Sequence, residues 1–197
     1  MSELAQIDAD DNFSLAAFLA ADLRRARFLQ HGAAGAVSGP RLWLGMASPR
    51  FIPVLLCRLA YRLYRWRLGP FAKLLSLVNF FLFGIEIAVR CPIGKGVFFP
   101  HTQGTVIGAQ AIGANATIFQ GVTLGARELD FSYDAASRPT LGDNVTIGSG
   151  AKVLGPVQIG DGARIGANSV VLSSIPAGVL AVGAPARVVQ APGGVPA

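Results

Sequence analysis

Imidazole is the side chain best suited to take a proton near neutral pH, and this chain has two, at His31 and His101. Beside a hydroxyl it can act as a general base, and a carboxylate on its second ring nitrogen would fix the tautomer and stabilise the imidazolium that forms. Glu86, fifteen residues before His101, is the candidate carboxylate, although it also reads as the acid that ends an apolar helix and partners Arg90. His31 falls in HGAAGAVSGP, residues 31–40, a stretch that reads as a linker, so His101 is the stronger of the two. The cysteines, Cys57 and Cys91, allow at most one bridge and have no CxxC spacing, which excludes a disulfide scaffold and a structural zinc site. Two histidines are too few for a three-histidine zinc centre, and no metal is expected.

The elements that must position these groups announce themselves by a period of six. Large apolar residues recur at Ile87, Ile93 and Phe99, then at Val106, Ile112, Ile118 and Leu124, then at Leu141, Ile147, Val153, Ile159, Ile165 and Val171. Two residues earlier lie small ones such as Cys91, Ala116, Ala151, Ala163 and Ser169. Side chains two apart on a strand share a face, so each short strand sends one small and one large residue inward. Glycine follows the large residue at 94, 113, 125, 142, 148, 160 and 166, where a corner would need freedom from a Cβ. Three hexads closing one triangular turn, with turns stacked at about 4.8 Å, predict a parallel β-helix. The register slips by one residue at PHTQGT, between Phe99 and Val106, and again over the seventeen residues from Leu124 to Leu141. Solenoids accept insertions at their corners and often build sites there. The period itself is silent on chemistry and fits a purely structural solenoid equally well.

The chain has 197 residues, 52% of them hydrophobic, 14% charged, with a mean hydropathy of +0.49, which excludes extensive disorder and leaves no room for a large second catalytic domain. The net charge of +6 is uneven: residues 41–90 hold eight Arg or Lys against Glu86 alone, and residues 91–197 hold six against five acids. Residues 51–68 place Ile52, Leu56, Leu59, Leu63 and Trp66 on one helical face and Arg58, Arg62 and Arg65 on another. Residues 71–85 form a second, nearly uncharged helix after a Gly69-Pro70 break, with a length of roughly 22 Å that falls short of a bilayer. The pair either lies in a membrane interface, with its arginines toward anionic head groups, or packs on the protein and its neighbours. No recognition motif accompanies the basic face, and nucleic acid is not an expected partner. A further helix is expected around LAAFLAADLRRARFLQ. The acidic start lacks a secretory signal, which suggests a cytoplasmic chain, peripheral on the inner face of the cell membrane if the helices meet lipid. The boundaries read as 1–84 helical, basic and apolar, 85–189 β-helix, and 190–197 a tail.

The segments IEIAVRCPIGKGVFFPHTQGTVIG (85–108), TIFQGVTLGA (117–126), VTIGSGAKVLGPVQIGDGARIGANSVV (145–171) and GAPARVV (183–189) resemble the left-handed β-helix acyltransferases of the hexapeptide-repeat class, and closely the serine acetyltransferase branch. The resemblance implies a mainly β fold, a left-handed parallel β-helix after a helical N-terminal region, usually as a homotrimer, with acetyl-CoA as co-substrate. It implies His101 as general base, oriented by Glu86 from one turn earlier, glutamate standing where the family has aspartate. It places the donor in a groove between neighbouring coils, against Ser149 and Ala167, with Arg187 suited to a CoA phosphate. The oxyanion donors have no sequence signal; backbone N–H groups near Gly121 to Gly125 are the candidates. Pro100 replaces the family's aspartate before the base, and Ser137-Arg138 replaces its Arg-His pair, leaving Arg138 as the candidate acceptor-binding residue. Loss of these charges argues against L-serine as acceptor, and a resemblance to chains with a PHTQG-type segment and a basic apolar N-terminus that are associated with exopolysaccharide assembly implies an acceptor hydroxyl on a sugar of an exopolysaccharide or lipid-linked glycan. Serine O-acetylation for cysteine biosynthesis is the alternative. A non-catalytic scaffold at a membrane surface is a third.

Overall fold

The computed structural model describes residues 14–32, 44–130 and 132–189; most of the expected linker and the tail at 190–197 lie outside the described residues. Helix α1, Leu15–His31, begins at Ser14, whose side chain accepts from the Ala17 amide. His31 is therefore the last residue of this helix and not part of the linker. Helix α2 spans Ile52–Arg65 and α3 spans Gly69–Phe83. The break between them is at Trp66–Leu68, with Arg67 at φ 60°, while Gly69-Pro70 opens α3, where a missing amide costs nothing. Gly84 closes α3 at φ 64° and leads directly into the first strand.

The inward face of α2 differs from the expected one. Val54, Cys57, Ala60 and Tyr61 are buried there together with Arg58, which is 2% exposed, whereas Trp66 is 59% exposed. A lone buried guanidinium would be costly, but Asp22 of α1 meets it with two oxygens, at 2.9 Å from Nε and 3.1 Å from Nη2. Arg58 also donates to the carbonyls of Ile93 and Gly94, and Asp22 accepts the amides of Gly96 and Val97 at 2.7 and 3.1 Å. This ion pair clasps both helices to the coil. Helix α3 is tied by Ser76 to the Ile87 carbonyl at 2.9 Å, and leaves Phe71, Leu74, Leu77, Phe80 and Phe81 exposed. Among the described residues no helix is long and apolar enough to cross a membrane.

From residue 85 the chain winds into a parallel β-helix with three faces. The first contains β1 Ile85–Ile87, β2 Thr105–Ile107, β5 Thr123–Gly125, β8 Lys152–Leu154 and β11 Val170–Val171. The second contains β3 Ala111–Ile112, β6 Thr140–Leu141 and β9 Gln158–Ile159. The third contains β4 Thr117–Ile118, β7 Thr146–Ile147, β10 Arg164–Ile165, β12 Leu180–Gly183 and, antiparallel to β12, β13 Ala186–Val189. Every large hexad position is buried except Val106, which is 38% exposed; its neighbour Ile107 points inward at 1%. The irregularity is thus distributed, with an eight-residue step from Phe99 to Ile107 and a five-residue step from Ile107 to Ile112.

The glycines after the large residues, Gly125 apart, serve a different purpose from the one expected. A Cβ on Gly113 would sit 2.5 Å from the backbone of Gly142, and one on Gly148 would sit 2.6 Å from the Ala167 amide, so close approach of stacked turns excludes a side chain there. The left-handed corners are elsewhere, among them Gly104, Gly121, Gly150 and Asn168.

Candidate active site

Along the edge between the third and first faces, equivalent residues stack turn upon turn. The Gly121 amide donates to the Gln103 carbonyl, Gly150 to Gln120, and Asn168 to Ser149, at 3.0, 2.8 and 2.8 Å. These bonds place Gln103, Gln120 and Ser149 in one column, with Ala167 next in line. His101 is exposed in the PHTQG turn that forms the top of the column. At the bottom, the Gly183 amide reaches Ser169 Oγ at 3.1 Å, and Val182, paired with Arg187, lies beneath Gly166. The expected base and the three expected donor-binding residues, His101, Ser149, Ala167 and Arg187, therefore share one edge of the prism. Ser149 is half-buried, while Ala167 and Arg187 are exposed.

Glu86 is not below His101. The turn from β1 to β2 is twenty residues long, so Glu86 pairs with Val106 and stands exposed on the outer side of the first face. Thr102 Oγ donates to the Phe83 carbonyl at 2.7 Å, which holds the His101 turn over the end of α3. Fifteen residues is less than the length of that turn, and within the chain no hydrogen bond or ion pair joins Glu86 to His101 among the described residues. Two of the candidate oxyanion donors are also occupied. Gly121 N–H donates to the Gln103 carbonyl at 3.0 Å and to Thr105 Oγ at 3.1 Å, and Thr123 N–H to the Ala151 carbonyl at 3.0 Å.

The long interruption is a folded loop at the edge between the first and second faces. Asp130 accepts from Arg138 Nε and Nη2 at 3.1 and 2.7 Å and from the amides of Ser132 and Asp134 at 3.1 and 2.7 Å. Hydrogen bonding from Arg138, helped by Ser132 and Asp134, holds the Asp130 carboxyl down at about 2. Arg138 Nη1 donates to the Gly108 carbonyl at 2.9 Å, and its guanidinium lies 3.9 Å from the centre of the Tyr133 ring. Burial raises the Tyr133 phenol, whose hydroxyl donates to the Ala109 carbonyl at 2.7 Å. Arg138 therefore organises the loop.

Burial lifts the Cys57 thiol to about 11 and raises that of Cys91 further, so neither is a nucleophile at neutral pH. Among the described residues no three His, Cys, Asp or Glu side chains cluster as metal ligands. A cleft of about 530 Å³ lies between α3, β1 and the loop, lined among others by Lys73, Ser76, Glu86, Arg90 and Tyr133. Sequence reasoning named only Glu86 of these in a site role, because the others are ordinary charges and hydroxyls on separate elements.

Comparison with known proteins joins this geometry to a family. Residues 138–173 match the bacterial transferase hexapeptide (six repeats) family. A serine acetyltransferase of Helicobacter pylori is 46% identical over 140 residues, covering 70% of this chain and 80% of that enzyme. The chain belongs to the serine acetyltransferase family. It is accordingly an acyltransferase on a left-handed β-helix. Soybean serine acetyltransferase complexed with serine superposes with a TM-score of 0.77 at 35% identity, covering 94% of this chain and 72% of that one. The Brucella abortus serine acetyltransferase in complex with coenzyme A superposes with a TM-score of 0.76 at 30% identity, covering 94% and 70%. These likenesses overturn the expectation of an exopolysaccharide or glycan acceptor. That expectation equated loss of charge at Pro100 and Ser137 with loss of an amino-acid substrate, yet the cleft beside Glu86 holds other charges, on Lys73 and Arg90. The scaffold reading falls with it.

Proposed function

We propose that the chain is a serine O-acetyltransferase, moving acetyl from acetyl-CoA to the hydroxyl of L-serine. The observation that supports it most is 46% identity to a serine acetyltransferase across 80% of that enzyme's length. Its site would be the edge on which His101, Ser149, Ala167 and Arg187 stack. Small side chains at Ser149 and Ala167 leave room for a pantetheine arm, and Arg187 at the foot of the edge suits a phosphate.

His101 takes the proton from the serine hydroxyl as its oxygen attacks the acetyl carbonyl carbon. The tetrahedral intermediate collapses with cleavage of the C–S bond, and the imidazolium returns the proton to the leaving sulfur. The products are O-acetylserine and CoA. Glu86 would orient and stabilise the imidazolium. Since it lies on an outer face, a neighbouring protomer is the means by which it meets a His101. A homotrimer, with the His101 edge of one protomer against the first face of the next, provides this.

A cytoplasmic setting fits acetyl-CoA as co-substrate and two free, buried cysteines. Contact with an anionic membrane, inferred from the basic and apolar helices, rests on the exposed stripe of α3 alone; flotation with anionic liposomes tests it. The main reading is tested by titrating CoA and L-serine into the protein calorimetrically. Both should bind, and absence of heat with CoA would contradict it.

A further inference from the structure

A free amino acid brings a carboxylate that needs a placed counter-charge wherever water is partly excluded. The two cations of the loop are already engaged: Arg127 donates Nε to the Leu154 carbonyl at 3.3 Å and Nη2 to the Leu172 carbonyl. Arg138 spends Nε and Nη2 on Asp130 and Nη1 on the Gly108 carbonyl, and Ser137 Oγ donates to the Asp134 carbonyl at 2.8 Å. The cleft beside Glu86 has two more. Lys73 comes from the α3 wall and Arg90 from the stretch after β1, both exposed, and neither makes an ion pair among the described residues. Together with Glu86 they leave a surplus of one positive charge in a recess that Ser76 and Tyr133 also line.

We propose that Arg90 and Lys73 form the subsite for the acceptor's carboxylate. Arg90 offers a planar fork that can hold a carboxylate through two parallel N–H bonds, and Lys73 a mobile point charge from the α3 wall. The acceptor is then held in the same cleft as Glu86, with its hydroxyl toward the His101 edge of the adjoining protomer. This deepens the serine O-acetyltransferase reading and depends on it. It also explains how an amino-acid acceptor is retained although Pro100 and Ser137 carry no charge.

The test is steady-state thiol release from acetyl-CoA by the full chain, with L-serine and with L-serinamide, which keeps the hydroxyl and ammonium but has no carboxylate. Wild type, Arg90→Gln, Lys73→Gln and the double variant are compared, with thermal unfolding as a check that these exposed substitutions leave the fold unchanged. Each single change should lower kcat/KM for L-serine about tenfold and the double change roughly 10²-fold, mainly through KM. Serinamide turnover and the KM for acetyl-CoA should stay within about twofold, and Arg90→Lys should recover part of the loss. Equal losses with both acceptors, or none with either, would overturn the subsite while leaving serine acetylation intact. Failure of the wild type to use L-serine would overturn both.

Discussion

His101 is one imidazole at the top of a column of backbone hydrogen bonds, and its proposed task is a single one, removing the hydroxyl proton. Its replacement by alanine removes no buried contact, because the side chain is exposed. His101→Ala should therefore lower the rate of acetyl transfer by about 10²–10⁴-fold while thermal unfolding and calorimetric CoA affinity stay at the parental values. Transfer at the parental rate would assign the base elsewhere. The legibility of single residues followed their surroundings. Inward hexad positions such as Ile118, Leu124 and Ile147 could be read because each repeats a pattern of one small and one large residue. Val106 could not, because it adjoins another branched apolar residue and only the twenty-residue first turn decides which of the two faces in.

At the scale of elements, α1 and α2 are held to the coil by a buried ion pair as well as by apolar contact. Arg58 and Asp22 are thirty-six residues apart in sequence, so a helical wheel of α2 assigns Arg58 to solvent while its partner on α1 draws it inside. Asp22→Asn or Arg58→Met leaves one charge buried without its partner, and should cost about 3–5 kcal/mol, read as a lowered unfolding temperature at fixed protein concentration. A change near zero would mean that water reaches the clasp. The loop makes a pH-dependent prediction. The Asp130 carboxyl titrates at about 2 instead of its ordinary 3.8, so its bonds to Arg138, Ser132 and Asp134 are fully present above the ordinary value and are lost as pH falls toward 2. Amide exchange at Ser132 and Asp134 should accelerate over that interval relative to intrinsic rates, and stay protected from neutral pH down to about 4. Uniform protection through the interval would contradict the assignment. The loop was legible as an interruption of the period, but its internal bonds were not, since Asp130 and Arg138 have no spacing that marks a pair.

For the whole molecule, the prism keeps the proposed site groups apart within one chain. His101 stands on one edge, Glu86 on the outer side of the adjoining face, and Lys73 and Arg90 in a cleft toward the next edge. If neighbouring protomers complete the site, two inactive variants can restore each other: His101→Ala and Glu86→Gln chains, unfolded and refolded as a mixture, should regain activity that neither has alone. No recovery would place both groups in one chain. The β-helix itself was open to sequence reasoning because its repeat is local. The cleft was not, because Lys73, Glu86 and Arg90 become neighbours only when α3 lies against β1 and the loop closes over them. The same limit bears on the acceptor subsite proposed above. Charges missing at Pro100 and Ser137 are visible in a sequence, whereas charges supplied from other elements are not.

The most direct measurement is product stoichiometry in one reaction of the full chain with acetyl-CoA and L-serine, following free CoA thiol and O-acetylserine together. Equal molar formation of the two, abolished in His101→Ala, is the predicted result. Thiol release without O-acetylserine, or no release until a glycan hydroxyl is supplied, would contradict it.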